Sequence, residues 1–252
     1  MIERFTCSRD GLTIRGHVYR VGGGLEKRPA VILCHGFLAN DRTQRVYAQA
    51  LAGLGYLCFS FDFNGGGIFC RSDGKSRDMS VLTELEDLRA VMEHVRARPD
   101  ADGARISLLG CSQGGMVSAM YAKRHPDEVE KLVLFYPALC IPDDARAGKM
   151  MFARFDPKKI PDTIQYFPMR LGACYAKAVV RMDVWEEIGG YDGPTLLIHG
   201  TEDKIVNISY SEKAAKRYPD CRYHVIRGGQ HGFRGKHDRE AVEVLKDFMR
   251  PE

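Results

Sequence analysis

A pentapeptide near the middle of the chain, Gly110-Cys-Ser-Gln-Gly114, places a serine two residues from a glycine on either side. The apolar run 106–109 precedes it, and a helical pattern over residues 116–122 follows at once. A serine on a sharp strand-to-helix turn has a strained backbone, and such glycines leave room for the crossing chain. The pattern therefore predicts that Ser112 is a nucleophile whose hydroxyl is exposed at the edge of a sheet.

A serine hydroxyl needs a base to take its proton and a carboxylate to orient that base. Both partners are expected on loops that follow later strands. Asp203 follows the apolar run 195–198, and His231 follows the run 221–226. The chain order serine, aspartate, histidine is that of the triad on an α/β-hydrolase sheet. We therefore predict Ser112 as nucleophile, His231 as base and Asp203 as the acid.

Other residues compete for two of these roles. Glu202 is an alternative acid, but the usual spacing after a strand-ending His-Gly favours Asp203. His237 is the rival of His231, although it stands where the last helix is expected to begin. His94 and His125 fall on predicted helices and His224 within a predicted strand, and His199 is predicted to pack at the end of a buried strand.

The oxyanion of a tetrahedral intermediate needs preorganised N–H donors. One predicted donor is the backbone amide of Gln113, which follows the serine and opens a helix. The second is the amide of Phe37, in the loop after the apolar run 30–34, where Gly36 allows close approach. The alternative for this loop is an ordinary strand-ending turn, which would leave the oxyanion with one donor.

The elements around these residues follow a regular pattern. Residues 2–19 alternate around Asp10-Gly11 and predict an antiparallel hairpin. Apolar runs then alternate with helical patterns such as Met79 to Arg98, whose apolar side includes Leu82, which indicates a mostly parallel sheet flanked by helices. Residues 137–192, which are rich in methionine, aromatic residues and proline, interrupt this alternation of strands and helices. A loop of that length without secondary structure is improbable in a compact domain. We predict one α/β domain over residues 1–252, with 137–192 as a lid insertion after the sixth strand.

Composition excludes several classes of function. The 37 basic and 33 acidic residues are spread along the chain, which argues against nucleic-acid or membrane-surface partners. A signal-like N-terminus and an apolar run of membrane-spanning length are both missing, so a cytoplasmic location is expected. The eight cysteines form no C-x-x-C pair, and the glycine-rich loop 62–74 lacks a nucleotide-binding pattern. No metal or organic cofactor is expected.

Five motifs together carry a family resemblance: His35-Gly-Phe37, Phe61-Asp-Phe-Asn-Gly65, Gly110-Cys-Ser-Gln-Gly-Gly115, His199-Gly-Thr-Glu-Asp203 and His231. With them the chain resembles, nearly end to end, the bacterial cinnamoyl (feruloyl) esterases of the α/β-hydrolase superfamily. The resemblance implies the α/β-hydrolase fold and the hydrolysis of esters of hydroxycinnamic acids such as ferulic acid. By position, it also implies that Asp144 and Tyr175 of the lid bind the phenolic hydroxyl.

The chain departs from this family at two places. The relatives usually have histidine in Asn-Gly-His-Gly, where this chain has Asn64-Gly-Gly-Gly67. Met151 stands where a polar lid residue is expected. Because fold and triad do not choose the acyl group, a broad-specificity short-chain esterase or lipase and a thioesterase are alternatives. A non-catalytic ligand-binding protein is a third, which the intact Ser112, Asp203 and His231 disfavour. The expected partner is a small-molecule ester, and a homodimer is left open.

Overall fold

The computed structural model describes residues 1–23 and 26–250. Its strands are β1 (Ile2–Arg9), β2 (Leu12–Tyr19), β3 (Arg28–Cys34), β4 (Leu57–Asp62), β5 (Ala101–Cys111), β6 (Leu132–Phe135), β7 (Lys149–Met150), β8 (Ala153–Arg154), β9 (Thr163–Gln165), β10 (Leu171–Gly172), β11 (Thr195–Gly200) and β12 (Cys221–Ile226). Its α-helices are α1 (Arg45–Gly53), α2 (Val81–Arg96), α3 (Gln113–Arg124), α4 (Ile141–Arg146), α5 (Ala173–Val179), α6 (Val184–Ile188), α7 (Ser209–Ala215) and α8 (Lys236–Met249).

Eight strands form one sheet in the order β1-β2-β4-β3-β5-β6-β11-β12. The β1–β2 hairpin and the β2–β4 pair are antiparallel, whereas the pairs from β4 to β12 are parallel. The apolar runs of the parallel strands are continuous because helices cover both faces of the sheet. The predicted α/β-hydrolase fold is thereby confirmed.

Two apolar cores lie on opposite faces of the sheet. Helices α1 and α8 pack on one face, with Leu51 and Leu245 fully buried. Helices α2 and α3 pack on the other, where Leu88 and Met120 are fully buried. The prediction that Leu82 lies on the apolar side of α2 was wrong, since Leu82 is 37% exposed. It directly follows the buried Val81 and therefore points about 100° away from it around the helix axis.

The insertion, residues 137–192, follows β6 and is folded. It contains α4, the antiparallel β7–β8 and β9–β10 pairs, α5 and α6. Its apolar residues, among them Met150, Leu171 and Val179, join the same core as α2 and α3. The insertion is thus packed onto the face of the sheet that carries α3.

The glycine-rich loop after β4 is held against the loop after β3. The Asp62 carboxylate accepts hydrogen bonds from the backbone N–H groups of Asp41 and Arg71, both at 2.7 Å. A Cβ atom at Gly67 would lie 1.7 Å from the carbonyl oxygen of Ala39, and one at Gly66 would lie 2.5 Å from the Cβ of Phe63. Neither position can carry a side chain in this backbone, so this loop requires glycine at both.

Among the described residues, no helix combines the length and the hydrophobicity that crossing a bilayer requires.

Candidate active site

Ser112 lies at the turn between β5 and α3, with φ 54° and ψ −120°. A positive φ is strained for a residue with a side chain. Glycines permit the turn, since a Cβ atom at Gly110 would lie 2.3 Å from the carbonyl oxygen of Gly114, and one at Gly114 would lie 2.2 Å from that of Cys34. The Ser112 side chain therefore stands at the C-terminal edge of the parallel strands.

The structure brings the three predicted triad side chains together. Ser112 Oγ lies 3.0 Å from His231 Nε2, and His231 Nδ1 lies 2.8 Å from Asp203 Oδ2. The Asp203 side chain is fully buried, whereas that of His231 is 21% exposed. Glu202 is exposed and His237 lies in α8, so neither alternative residue belongs to this hydrogen-bonded row.

Asp203 is held as an anion by several donors. The backbone N–H groups of Ile205 and Val206 reach its Oδ1 at 2.8 and 2.9 Å. Burial raises the pKa of the Asp203 carboxyl, but hydrogen bonds from His199 and His231 outweigh it and bring that pKa well below the ordinary value. The carboxylate is therefore ionised at neutral pH, as a group that orients an imidazolium must be.

His199 contacts Asp203, and this contact was not predicted from the sequence. Its Nε2 lies 3.0 Å from Asp203 Oδ2 and 3.1 Å from the carbonyl oxygen of Val206, while its Nδ1 lies 2.6 Å from Ser211 Oγ. Two acceptors at Nε2 require a proton there, and Nδ1 forms a hydrogen bond with the Ser211 hydroxyl. His199 is buried as predicted, but it also donates to the acid. The sequence feature that could have indicated this contact is the position of His199 at the end of the strand before Asp203.

The two predicted oxyanion donors flank Ser112. The Gln113 N–H is the first of α3 and has no acceptor within the helix. A Cβ atom at Gly36 would lie 2.9 Å from Ser112 Cβ, so the backbone before Phe37 contacts the serine. His35 Nδ1–H donates to the Gly36 carbonyl at 2.8 Å, and burial lowers the pKa of His35, which keeps it neutral. These contacts fix the loop that carries Phe37.

Ser112 lies between two cavities. The first is mostly apolar, and Gln113, Tyr175 and Asp144 line it with Phe37, Ile141, Met150 and Phe152. The second is lined by His231, Tyr136, Gln44, Tyr47, Phe233 and Arg234. Ser112 and Phe37 line both cavities, whereas His231 lines the second.

The two predicted lid residues both reach the first cavity. Tyr175 is 4% exposed, and its hydroxyl donates a hydrogen bond to Gln113 Oε1. Its ring meets that of Phe37 edge to face, with centroids 6.0 Å apart. Asp144 is partly exposed, and its Oδ1 lies 4.0 Å from Lys149 Nζ. The cavity thus combines apolar walls with a hydroxyl, a carboxylate and the two lysines Lys149 and Lys204.

One cluster has the residue types of a metal site. His35, Asp62 and Cys70 each place one ligand-type atom within 4.8 Å of the others. These atoms are already engaged, since His35 Nε2 accepts from the Phe63 N–H at 3.1 Å and the Cys70 thiol donates to the Ala39 carbonyl at 3.6 Å. Burial also raises the pKa of Cys70. The cluster therefore holds two loops together and does not fit a metal ion without breaking these bonds.

The chain is similar in sequence to a family of known hydrolases. Residues 26–165, more than half of the chain, match the family described as serine aminopeptidase, S33. The chain belongs to this family. An uncharacterised Mycobacterium tuberculosis protein is 29% identical to this chain in an alignment of 247 residues that covers 96% of the chain and 75% of the relative. A monoacylglycerol lipase of Mycolicibacterium smegmatis is 25% identical over 218 residues, covering 76% of each protein.

Solved structures agree with this assignment. Est1E from Butyrivibrio proteoclasticus, with ferulic acid bound, has a TM-score of 0.90 and 27% identity over 97% of each chain. A thioesterase domain from the curacin biosynthetic pathway has a TM-score of 0.68 at 16% identity, which shows the fold alone. The S33-family chain is therefore a hydrolase of the α/β-hydrolase superfamily with serine esterases among its relatives, and the predicted superfamily is confirmed.

Proposed function

We propose that the protein is a serine carboxylesterase that hydrolyses esters of small aromatic acids, of the hydroxycinnamic type, through an acyl-enzyme. The observation that carries this proposal is the hydrogen-bonded row Ser112, His231, Asp203 beside an apolar cavity. Ser112 Oγ attacks the ester carbonyl while His231 Nε2 takes its proton. Asp203 stays ionised and stabilises the imidazolium.

His231 then gives its proton to the leaving alcohol, and the acyl group stays on Ser112. Water attacks the acyl-enzyme with His231 as base, which frees the acid and restores the serine. In both tetrahedral intermediates, the oxyanion accepts hydrogen bonds from the N–H groups of Gln113 and Phe37. Donors of this kind typically contribute about 10²- to 10³-fold each to kcat.

The two cavities supply the two sides of the ester. The proton donor must face the leaving oxygen, and His231 lines the second cavity. The alcohol therefore leaves through the second cavity, and the acyl group occupies the first. In this proposal residues 137–192 act as a lid of a single domain, since Met150, Phe152 and Tyr175 contribute to the wall of the first cavity.

The aromatic acyl group follows from the lining of the first cavity. Phe37 and Tyr175 offer ring faces and edges, and Asp144 offers an acceptor for a phenolic hydroxyl. The likeness to Est1E, whose solved structure contains ferulic acid, supports the same choice. Met151 also lines this cavity and adds an apolar surface beside Asp144.

The test compares acyl groups at a constant concentration of active sites. Methyl ferulate, methyl cinnamate, p-nitrophenyl acetate, a monoacylglycerol and an acyl-CoA are assayed after titration of Ser112 with a fluorophosphonate. We expect kcat/KM to be highest for methyl ferulate. A preference for acyl-CoA would contradict the proposal, and a folded protein that neither reacts with the fluorophosphonate nor turns over any ester would be a binding protein.

A second candidate is a lipase that acts on monoacylglycerols. It is favoured by the similarity to the Mycolicibacterium smegmatis monoacylglycerol lipase and by the aliphatic residues Ile141 and Met150 in the first cavity. In the same assay, a monoacylglycerol hydrolysed faster than methyl ferulate would decide for this candidate.

A further inference from the structure

Glu84 is a buried carboxyl group that the proposed mechanism does not use. It lies in the first turn of α2 and is only 1% exposed. Burial raises the pKa of the Glu84 carboxyl well above its ordinary value, the neighbouring Gln113 side chain lowers it, and Asp87 raises it further. A buried carboxyl costs free energy unless a hydrogen-bonding partner compensates for it. The neighbour that can do so is Gln113.

The Gln113 side chain has one end free for Glu84. Gln113 is 1% exposed, and its Oε1 accepts the hydrogen bond from the Tyr175 hydroxyl. Within residues 1–23 and 26–250, neither Gln113 Nε2 nor Glu84 Oε2 has a hydrogen-bond partner at ordinary geometry, although both atoms are buried. One is a donor and the other an acceptor, so a small movement that pairs them satisfies both groups.

The contacts continue from Gln113 to the other proposed oxyanion residue. Tyr175 donates to Gln113, and its ring packs edge to face on Phe37. We call Glu84, Gln113, Tyr175 and Phe37 the oxyanion support row. The row starts in α2 and includes both residues whose backbone amides face the proposed oxyanion.

The glycine-rich loop leaves room for Glu84. A Cβ atom at Gly66 would lie 2.8 Å from Glu84 Oε1. Any side chain at position 66 would therefore compete with the carboxyl for the same space. The glycine at this position is compatible with a carboxyl at position 84.

We propose that Glu84 is a positioning residue of the oxyanion hole, whose carboxyl group holds the Gln113 carboxamide and, through Tyr175, supports Phe37. Glu84 touches no reacting atom and acts through the oxyanion support row. The inference rests on the proposed function, because it requires a reaction with an oxyanion.

The experiment measures kcat per titrated site for p-nitrophenyl acetate, a substrate that does not depend on the acyl preference. Glu84→Met removes both polar atoms at similar volume and is expected to lower kcat by about 10-fold or more, with KM changed less than about two-fold, since misplaced donors act on the transition state. Binding of a boronic acid, which mimics the tetrahedral intermediate, is expected to weaken by the same factor. Glu84→Gln keeps a hydrogen-bonding group and is expected to retain kcat within about three-fold.

Asp87→Asn is the matched control. Asp87 lies one turn further along α2, is equally buried, and binds Arg9 and Asn64. Its variant is expected to lower the melting temperature without changing kcat per site. If Glu84→Met does not fold, Glu84→Asp replaces it, because the shorter side chain withdraws the carboxyl from Gln113 and is expected to lower kcat about five-fold.

Two results would overturn the inference while the wild-type enzyme is active: unchanged kcat in Glu84→Met or its substitute, or a loss in Glu84→Gln as large as in Glu84→Met. If the wild-type protein is folded but neither reacts with the fluorophosphonate nor turns over the ester, the proposed function fails, and this inference fails with it.

Discussion

His199 Nε2 lies 3.0 Å from Asp203 Oδ2, the oxygen that His231 Nδ1 reaches at 2.8 Å. Two imidazoles therefore share one carboxylate oxygen, and both stabilise its ionised form. His199 is itself fixed by Ser211 and by the carbonyl of Val206. The orientation of the proposed acid thus depends on a second histidine that never reaches the substrate.

Replacement of His199 tests this dependence. A hydrogen bond to a charged group typically contributes about 1.5–3 kcal/mol, so His199→Phe is expected to lower kcat/KM by about 10- to 100-fold. The Asp203 carboxyl should become protonated at a higher pH in this variant, because its pKa rises when the hydrogen bond from His199 is lost. Ser211→Ala removes one contact of His199 but keeps its contacts with Asp203 and the Val206 carbonyl, so it is the control and should cost less than about three-fold. Equal losses in the two variants would contradict a direct role for His199.

Removal of the nucleophile is the second test. Ser112→Ala is expected to lower kcat by about 10⁶-fold, the loss known for serine nucleophiles that act as part of a triad. The fold should be unchanged, because alanine adopts the positive φ at a cost similar to that of serine. His237→Gln, at the rejected alternative base, should keep full activity. Residual activity of Ser112→Ala above one part in about a thousand would exclude Ser112 as the nucleophile.

Asp144 offers a test of acyl selectivity. If its carboxylate accepts the phenolic hydroxyl, Asp144→Ala should lower kcat/KM for methyl ferulate by about 10-fold and leave methyl cinnamate, which lacks that hydroxyl, nearly unchanged. Asp143→Ala is a matched control on the same helix, since Asp143 binds Arg146 and Tyr210. Equal effects of Asp144→Ala on the two esters would show that Asp144 does not bind the phenolic hydroxyl.

Glu84 and Asp203 are expected to act on stability with opposite signs of pH dependence. Folding raises the pKa of Glu84 above its ordinary 4.5, so its contribution is full below that pH and is lost as the pH rises through the folded value. Glu84→Gln should therefore gain stability relative to the wild type between pH 5 and pH 9. Urea unfolding at the two pH values measures the difference. A constant difference in the free energy of unfolding would mean that Glu84 is ionised throughout.

Asp203 acts in the acid range. Folding lowers its pKa, so its contribution is present above the unfolded value of about 3.9 and is lost as the pH falls through the folded value. The free energy of unfolding of Asp203→Asn should therefore fall less between pH 5 and pH 2 than that of the wild type. Urea unfolding over this pH range measures it. A fall as steep as that of the wild type would contradict the expectation.

Local patterns predicted the sheet and much of the site. The strand β12 was predicted to the residue, and the predicted run 195–198 lies within β11, because turn residues follow both runs. The positions of Ser112, Asp203 and His231 followed from the loops after such strands. These predictions needed only the neighbouring sequence.

Contacts between distant elements were harder to predict. The insertion has strands of two or three residues, which are too short to show a period. His199 was assigned to packing because its acceptor geometry depends on the loop beyond β11. Glu84 was not predicted as a site residue, because a charged residue on an amphipathic helix is expected on the exposed face of that helix. In the structure Glu84 is buried, and the Gln113 side chain is its neighbour.

The insertion leaves the sheet at the end of β6 and returns at the start of β11, and these two strands are hydrogen-bonded neighbours. Because the two strands are parallel, with Thr195 opposite Leu132 and Ile198 opposite Phe135, the ends of the insertion lie at opposite edges of the sheet. Ser112, Asp203 and His231 all lie outside the insertion. In the proposed mechanism, the nucleophile, base and carboxylate thus come from outside the insertion, whereas the insertion contributes Met150, Phe152 and Tyr175 to the wall of the acyl cavity. A chimaera that exchanges residues 137–192 for those of another esterase but keeps Tyr175, which contacts Gln113 and Phe37, should change which carboxylic acid is released and still hydrolyse the ester.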